Sequence, residues 1–191
     1  MLRIIHKQLQ QNQQLWEPER TKVSRIVVVL VLRDSNDTKT IIAFEDLCLG
    51  KEVEADEELL PLLQAFTTWK AQEPNLQILE VEKLVHSDKY GYAGTVDAIG
   101  VRTVGDKAGI VILDWKTSNA LYPEYAWQAS AYAKAWEELT GQPVVDALIV
   151  RFDKYKPVFE AKQVHSIDDC FQCFLSCLAL YNSRKMSHYK E

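Results

Sequence analysis

Residues 92–118 read YAGTVDAIGVRTVGDKAGIVILDWKTS. Two apolar runs, Tyr92–Val101 and Ile110–Trp115, flank a G-D-K-A-G turn, which is the chemistry of an antiparallel hairpin. Each run carries a carboxylate where a buried strand should have none, Asp97 in the first and Asp114 in the second. Lys116 follows Asp114 by two positions, so the two share one face of the strand while Trp115 points to the other. A symmetric register about the 103–108 turn sets Asp97 and Asp114 nearly opposite each other. Carboxylates that close repel unless a cation sits between them. Oxygen ligands of this kind suit Mg²⁺ or Mn²⁺.

The strand-like run before the hairpin, Ile78–Val85, adds Glu80 and Glu82 on one face. Val81 and Leu84 face apart, so this strand is expected to be buried on both sides. One Asp–Lys pair is more often a plain ion pair than a site. Acidic positions on three adjacent strands together with a lysine fit a metal site better. Gly94 suits a point where backbone or ligand approaches closely.

Outward from this hairpin the chain alternates. Arg25–Arg33 is β-branched and reads as a strand, D34-S-N-D-T38 as a turn and Thr40–Phe44 as a second strand, together an N-terminal hairpin. Residues 1–16 are Gln-rich, a short helix or a frayed arm. A helix is expected from Asp56, with acids in its first turn and Pro61 near its start, stopped by E73-P-N. After the hairpin comes an amphipathic helix over Pro123–Thr140, closed by Gly141. A strand over Val144–Phe152 and a last helix over Asp168–Lys185 follow. The spacing predicts an α/β (α+β) fold, a central mixed sheet flanked by helices. The chain reads as one domain, 1–191, with an arm and hairpin in 1–50 and a core in 56–185.

The 191 residues suffice for one good core, and 47% hydrophobic content is globular. The formal net charge of −5 gives no whole-molecule attraction for nucleic acid, so binding there needs a local basic patch or bound cations. No apolar run reaches the roughly 18 residues of a membrane span. The N-terminus lacks a signal peptide's apolar core. A cytoplasmic location, with no membrane partner, is the expectation.

Glu82, G94-T-V-D97, D114-W-K116-T-S and Q128-A-S-A-Y132 occur in that order, and in that order they resemble the PD-(D/E)XK nuclease superfamily. The RecB-type branch, which includes the mitochondrial genome maintenance exonuclease and many phage and bacterial exonucleases, is the nearest in pattern. The resemblance spans roughly 57–182. It implies a restriction-endonuclease-like core and hydrolysis of phosphodiesters, in an exonuclease of DNA repair or recombination acting on DNA ends or single strands. It also implies one or two Mg²⁺ or Mn²⁺ ions held by Asp97, Asp114 and Glu82, with the Trp115 carbonyl as a further ligand. Lys116 would orient the attacking water or stabilise the transition state. Gln128 and Tyr132, a helical turn apart, and Thr117 and Ser118 would contact the DNA. An oligomer, or a replication or recombination partner, is compatible with this reading.

Many RecB-type members carry a histidine on an N-terminal helix. His6 lies in a polar arm and residues 20–46 read as a hairpin, so the pattern departs there. His86 reads as a surface histidine. This departure favours a rival of another class, a nuclease fold that no longer cuts and serves as a DNA-binding or scaffold subunit. The intact Asp97, Asp114, Lys116 and Gln128 oppose it.

Cys48, Cys170, Cys173 and Cys177 have the count of a [4Fe–4S] site found in some relatives. The last three read instead as the core-facing stripe of a helix, where cysteine packs as a small hydrophobe. Arg151 and Lys154, at the end of the Val144–Phe152 strand, are either a wall of the DNA groove, with Tyr155 for base stacking, or a solvated strand end. Arg184, Lys185 and Lys190 extend the late basic character. Trp69, Trp127, Trp136 and Phe171 read as core.

Overall fold

A computed structural model of the chain describes residues 28–29, 38–104 and 106–183. The expectations for residues 1–16, the 34–37 turn, His6, Arg184, Lys185 and Lys190 lie outside the described residues.

The elements, in order, are β1 (Val28–Val29), α1 (Thr38–Cys48), α2 (Leu60–Gln72), β2 (Leu76–Ser87), β3 (Tyr92–Val104), β4 (Lys107–Lys116), α3 (Pro123–Thr140), β5 (Val144–Phe152), β6 (Phe159–Gln163) and α4 (Ile167–Ser183). The strands form one mixed sheet, β1-β3-β4-β5-β6, with β2 on the other side of β3. β2, β3 and β4 form an antiparallel meander, and β5 then runs parallel to β4. A parallel neighbour needs a long crossover, and α3 supplies it.

Helices cover both faces. The α3–α4 layer buries Val96, Ile99, Ile112 and Ile149 under Ala129, Tyr132, Trp136, Phe171 and Phe174. The α1–α2 layer buries Ala98, Leu113, Trp115 and Phe152 under Phe44, Phe66 and Trp69. α3 is buried nearly all round, from Gln128 to Ala133 and again at Ala135 and Trp136. This is the signature of a helix wedged between a sheet and a second helix. Trp136 and Phe171 are core as expected, and Trp127 packs against it.

Several expectations are corrected. The expected N-terminal hairpin is absent in its second half, because Thr40–Phe44 lies inside α1. Its β-branched residues favoured a strand, but Ala43 and Phe44 are buried and Leu47 and Cys48 partly so, a 3-1 spacing that a five-residue window is too short to display. Val28–Val29 does form a strand, pairing parallel with Tyr92–Ala93.

β2 is not buried on both sides. Among the described residues it pairs with β3 alone, and Leu84 is exposed. His86 is buried rather than superficial. The C-terminal half of α3 closes over that strand end, where Glu138 accepts from Ser87 Oγ at 2.6 Å and from the Lys89 N–H at 3.1 Å.

Finally, the core-facing stripe of α4 is Phe171, Phe174 and Leu178, each one residue on from a cysteine. Cys173 and Cys177 are exposed and Cys170 is half-buried. Larger aromatic and aliphatic groups gain more from burial than a thiol does, and they decide the helix's rotation.

The helix expected from Asp56 begins at Leu60, and Asp56 instead accepts the Leu59 N–H at 3.0 Å in the turn before it. β6 was not anticipated. F-E-A-K-Q lacks clean alternation, and its pairing with β5 is what makes it a strand.

Candidate active site

The β3–β4 hairpin runs in register from Val104↔Lys107 to Ala98↔Leu113. One step further Asp97 would face Asp114, the symmetric register expected from the sequence. There the ladder forks. The Trp115 N–H donates to Asp97 Oδ2 at 2.6 Å, so a side-chain carboxylate takes the place of a cross-strand carbonyl. β4 leaves β3 and continues beside β5, pairing Asp114↔Ile149, Trp115↔Val150 and Lys116↔Arg151.

Trp115 anchors the end of β4. Its indole packs edge-on against Phe44 and Phe66, at 5.6 and 5.3 Å between centroids. With Trp115 locked into the α1–α2 layer, alternation turns Asp114 and Lys116 toward α3. Both are sealed from solvent, at 1% and 0% exposure, and Lys116 Nζ lies 2.8 Å from Asp114 Oδ2. A buried charge left alone would be costly, so each makes the other tenable.

α3 roofs this pair. Lys116 Nζ sits 5.0 Å from the centre of the Tyr125 ring, a cation–π contact. One turn on, Gln128 Nε2 donates to Tyr132 Oη at 2.8 Å, and both side chains are buried. Burial, then the charges of Asp114 and Asp97, push the Tyr132 hydroxyl well above the usual phenol range, so Tyr132 stays a neutral donor. Gly94 makes room for that ring. A Cβ there would come within 2.6 Å of Tyr132 Cε1.

Glu82 stands opposite Asp97, between the pairs Val81↔Ala98 and Lys83↔Val96. Its φ of 47° is in the left-handed region, which costs a non-glycine residue energy. Its carboxyl group meets Glu45 of α1. Partial burial, then the Glu45 charge and the hydrogen bond between them, push Glu82 up to about 7. Burial likewise raises Glu45. One shared proton is the ordinary solution for two such acids. Glu80 pairs with Lys83 at 2.7 Å instead. Sequence reasoning missed Glu45 because α1 was read as a strand; its signal was the 3-1 apolar spacing around it.

Thr117 is buried beside Lys116. Ser118 Oγ donates to the Ala120 carbonyl at 2.7 Å, and Arg151 Nη1 reaches the Ser118 carbonyl at 3.3 Å. Arg151 Nε also lies 3.5 Å from Glu160. Arg151 thus braces the 117–122 loop rather than standing clear in a groove. Lys154 lies in the exposed turn after β5, beside Tyr155, which is 86% exposed. The four cysteines do not converge, since Cys48 packs in the α1–α2 layer and Cys170 in the α3–α4 layer, across the sheet.

Among the described residues no three His, Cys, Asp or Glu side chains are grouped to hold a metal ion. The donors that do gather are hard oxygens. Asp97 and Asp114 are both buried where β3 and β4 part, and the buried Gln128 Oε1 has no hydrogen-bond partner among the described residues. Mg²⁺ is ordinarily held by one or two carboxylates and water, so this donor set fits such an ion.

A mixed sheet between helical layers, with acids at the fork of its central hairpin and a lysine one step on, is a restriction-endonuclease-like α/β core. The chain belongs to the PD-(D/E)XK nuclease superfamily, whose family model matches residues 3–185. Among solved structures the chain is similar to an alkaline exonuclease (LHK-Exo) from Laribacter hongkongensis, at 17% identity, TM-score 0.37, covering 76% of this chain and 82% of that one. The same exonuclease in complex with dAMP matches at 16% identity and TM-score 0.36, with the same coverage. SSO0001 matches at 12% identity and TM-score 0.35, covering 79% of this chain and 75% of that one. No curated protein sequence matches. No described helix is long and apolar enough to cross a membrane.

Proposed function

We propose that the protein is a metal-dependent deoxyribonuclease, and that it works as an exonuclease on DNA ends or single strands. The observation that carries this reading is the buried Asp114–Lys116 pair beside Asp97, in a chain of a nuclease family. Asp97 and Asp114, with Glu82 and the Trp115 carbonyl, are the residues to hold Mg²⁺ or Mn²⁺. When bound, such an ion lowers the pKa of a coordinated water and polarises the phosphoryl group.

The chain's own residues do the rest. Lys116 is held at a fixed point by Asp114 and the Tyr125 ring, where its charge meets the negative charge that grows on the phosphoryl oxygens. Because it is desolvated, that charge counts for more than it would in water. Tyr132 keeps its proton and can donate it to a phosphate oxygen, oriented by Gln128. Thr117 and the 118–120 loop line the approach, and Arg151 stiffens that loop. Lys154 supports the DNA strand farther out. The exonucleolytic mode and the choice of DNA follow the resemblance of the motif blocks to the RecB-type branch.

The test uses single- and double-stranded DNA labelled at either end, in Mg²⁺, in Mn²⁺ and in EDTA. Wild type should shorten the DNA from an end in either metal and not in EDTA. Lys116→Ala and Asp97→Asn should not cut. DNA left intact by wild type in both metals, with binding retained, overturns the catalytic reading and leaves a binding subunit.

A further inference from the structure

The roof of the site continues outward into an aromatic step that the chemistry so far does not use. Tyr125 covers Lys116, with Nζ 5.0 Å from its ring centre. Tyr122 stands perpendicular to Tyr125, centroids 5.6 Å apart at 83°. The series thus runs from a buried ammonium through a half-buried ring to a ring that is 50% exposed.

The outer ring stands on a stiff support. Tyr122 is the residue before α3, in an extended conformation, and its carbonyl accepts the Tyr125 N–H at 3.1 Å. Pro123 follows and fixes the next φ. Leu121, on the other side, packs against the α3–α4 core. The loop leading in is pinned by Ser118 Oγ to Ala120 and by Arg151 to the Ser118 carbonyl. A single exposed aromatic is common on any surface. One on a braced backbone, one ring out from a desolvated lysine, is a half-exposed aromatic surface whose support is already ordered.

Two observations narrow what it takes. No Lys or Arg lies among residues 117–127, and Glu124, two residues on from Tyr122, is exposed, so the segment that carries the ring brings no cation of its own to a phosphate. What suits an exposed phenol ring next to a phosphate-directed lysine is a flat, uncharged, aromatic group carried one link from a phosphate.

We propose that Tyr122, backed by Tyr125, is the stacking shelf for the nucleobase of the nucleotide next to the phosphate that Lys116 contacts. The shelf reads no base edge, so it accepts any base and fails on a nucleotide that has none. Tyr122 is in this sense a substrate-positioning residue, and its role rests on the nuclease reading above.

The experiment measures kcat/KM on end-labelled single strands carrying one reduced abasic site at successive positions from the cut end. The proteins are wild type, Tyr122→Ala and Tyr122→Phe. Base–aromatic stacking is worth about 1–3 kcal/mol per base, so wild type should lose about tenfold in kcat/KM when the abasic site falls on the shelf. Tyr122→Ala should lose about as much on intact DNA and lose nothing further at that abasic position, since ring and base act as one pair. Tyr122→Phe should behave as wild type. Tyr122→Ala that cuts intact DNA at the wild-type rate, and keeps the abasic penalty, overturns the shelf while the nuclease reading stands. Wild type that cuts no DNA removes both.

Discussion

On β4, Asp114 is buried and its charge is met by Lys116 at 2.8 Å; two strands away, on β2, the only partly buried Glu82 is met by a second acid, Glu45 of α1. Both strands bring a carboxylate up against a crowded neighbour. The first is relieved by a fixed opposite charge, which burial makes stronger. The second is relieved by a proton, which solvent can supply or remove. The contrast shows how one sheet keeps a permanent charge array at its fork and an adjustable one at its edge.

The largest effect should come from breaking the permanent array. Lys116→Met leaves Asp114 buried without that cation, and removing one member of a buried pair typically costs about 3–5 kcal/mol. Asp114→Asn with Lys116→Met removes both charges together. We expect the double variant to lose clearly less in urea denaturation than the two single losses added. Strict additivity would mean that the two charges do not support each other, and the comparison with Glu82 would collapse.

A middle-sized effect belongs to the fork. Asp97 accepts the Trp115 N–H at 2.6 Å. Asp97→Ala strands that buried donor, at about 1–3 kcal/mol, whereas Asp97→Asn retains an acceptor and should cost less. Both variants lose the negative charge, so both should be inactive in the DNA assay while differing in stability. Faster amide exchange at Trp115 in the alanine variant alone would tie the difference to this bond. Equal stability of the two variants would show that the bond does not hold the fork.

Most of this architecture could be read from the sequence where local pattern and tertiary burial agree. Pro123–Thr140 and Val144–Phe152 have the bounds expected of them, because a capping glycine or a β-branched run coincides with the packed face. The β3–β4 register was legible as far as Ala98↔Leu113 because a hairpin's symmetry is set by its turn. Pattern failed where a few residues satisfied two periods at once. T40-I-I-A-F44 suits a strand by propensity and a helix by burial, and burial decided. That one misreading hid Glu45 and with it the proton-sharing pair. The α4 cysteines failed for a related reason: C170-F-Q-C-F-L-S-C-L offers two nearly coincident stripes, and the bulkier one, through Phe171, Phe174 and Leu178, took the core.

The smallest effect, and the sharpest on the adjustable pair, is a matter of pH. Glu82 titrates near 7 in the folded protein against about 4.5 for an unperturbed glutamate. Between those values the folded chain holds a proton that the unfolded chain has released. Stability therefore falls as pH rises through that window and is level above it. Glu45, raised in the same direction, adds to the same slope. In EDTA, wild-type thermal midpoints should decline from about pH 4.5 to 7 more than those of Glu82→Gln, because the amide needs no proton to sit beside Glu45. The variant should match wild type at the acid end and exceed it at pH 8. Adding Mg²⁺ should flatten the wild-type slope and leave the variant unchanged if Glu82 can trade its proton for a cation. An identical slope in the two proteins would mean that Glu45 and Glu82 do not share a proton, and both carboxylates would then be ordinary surface acids.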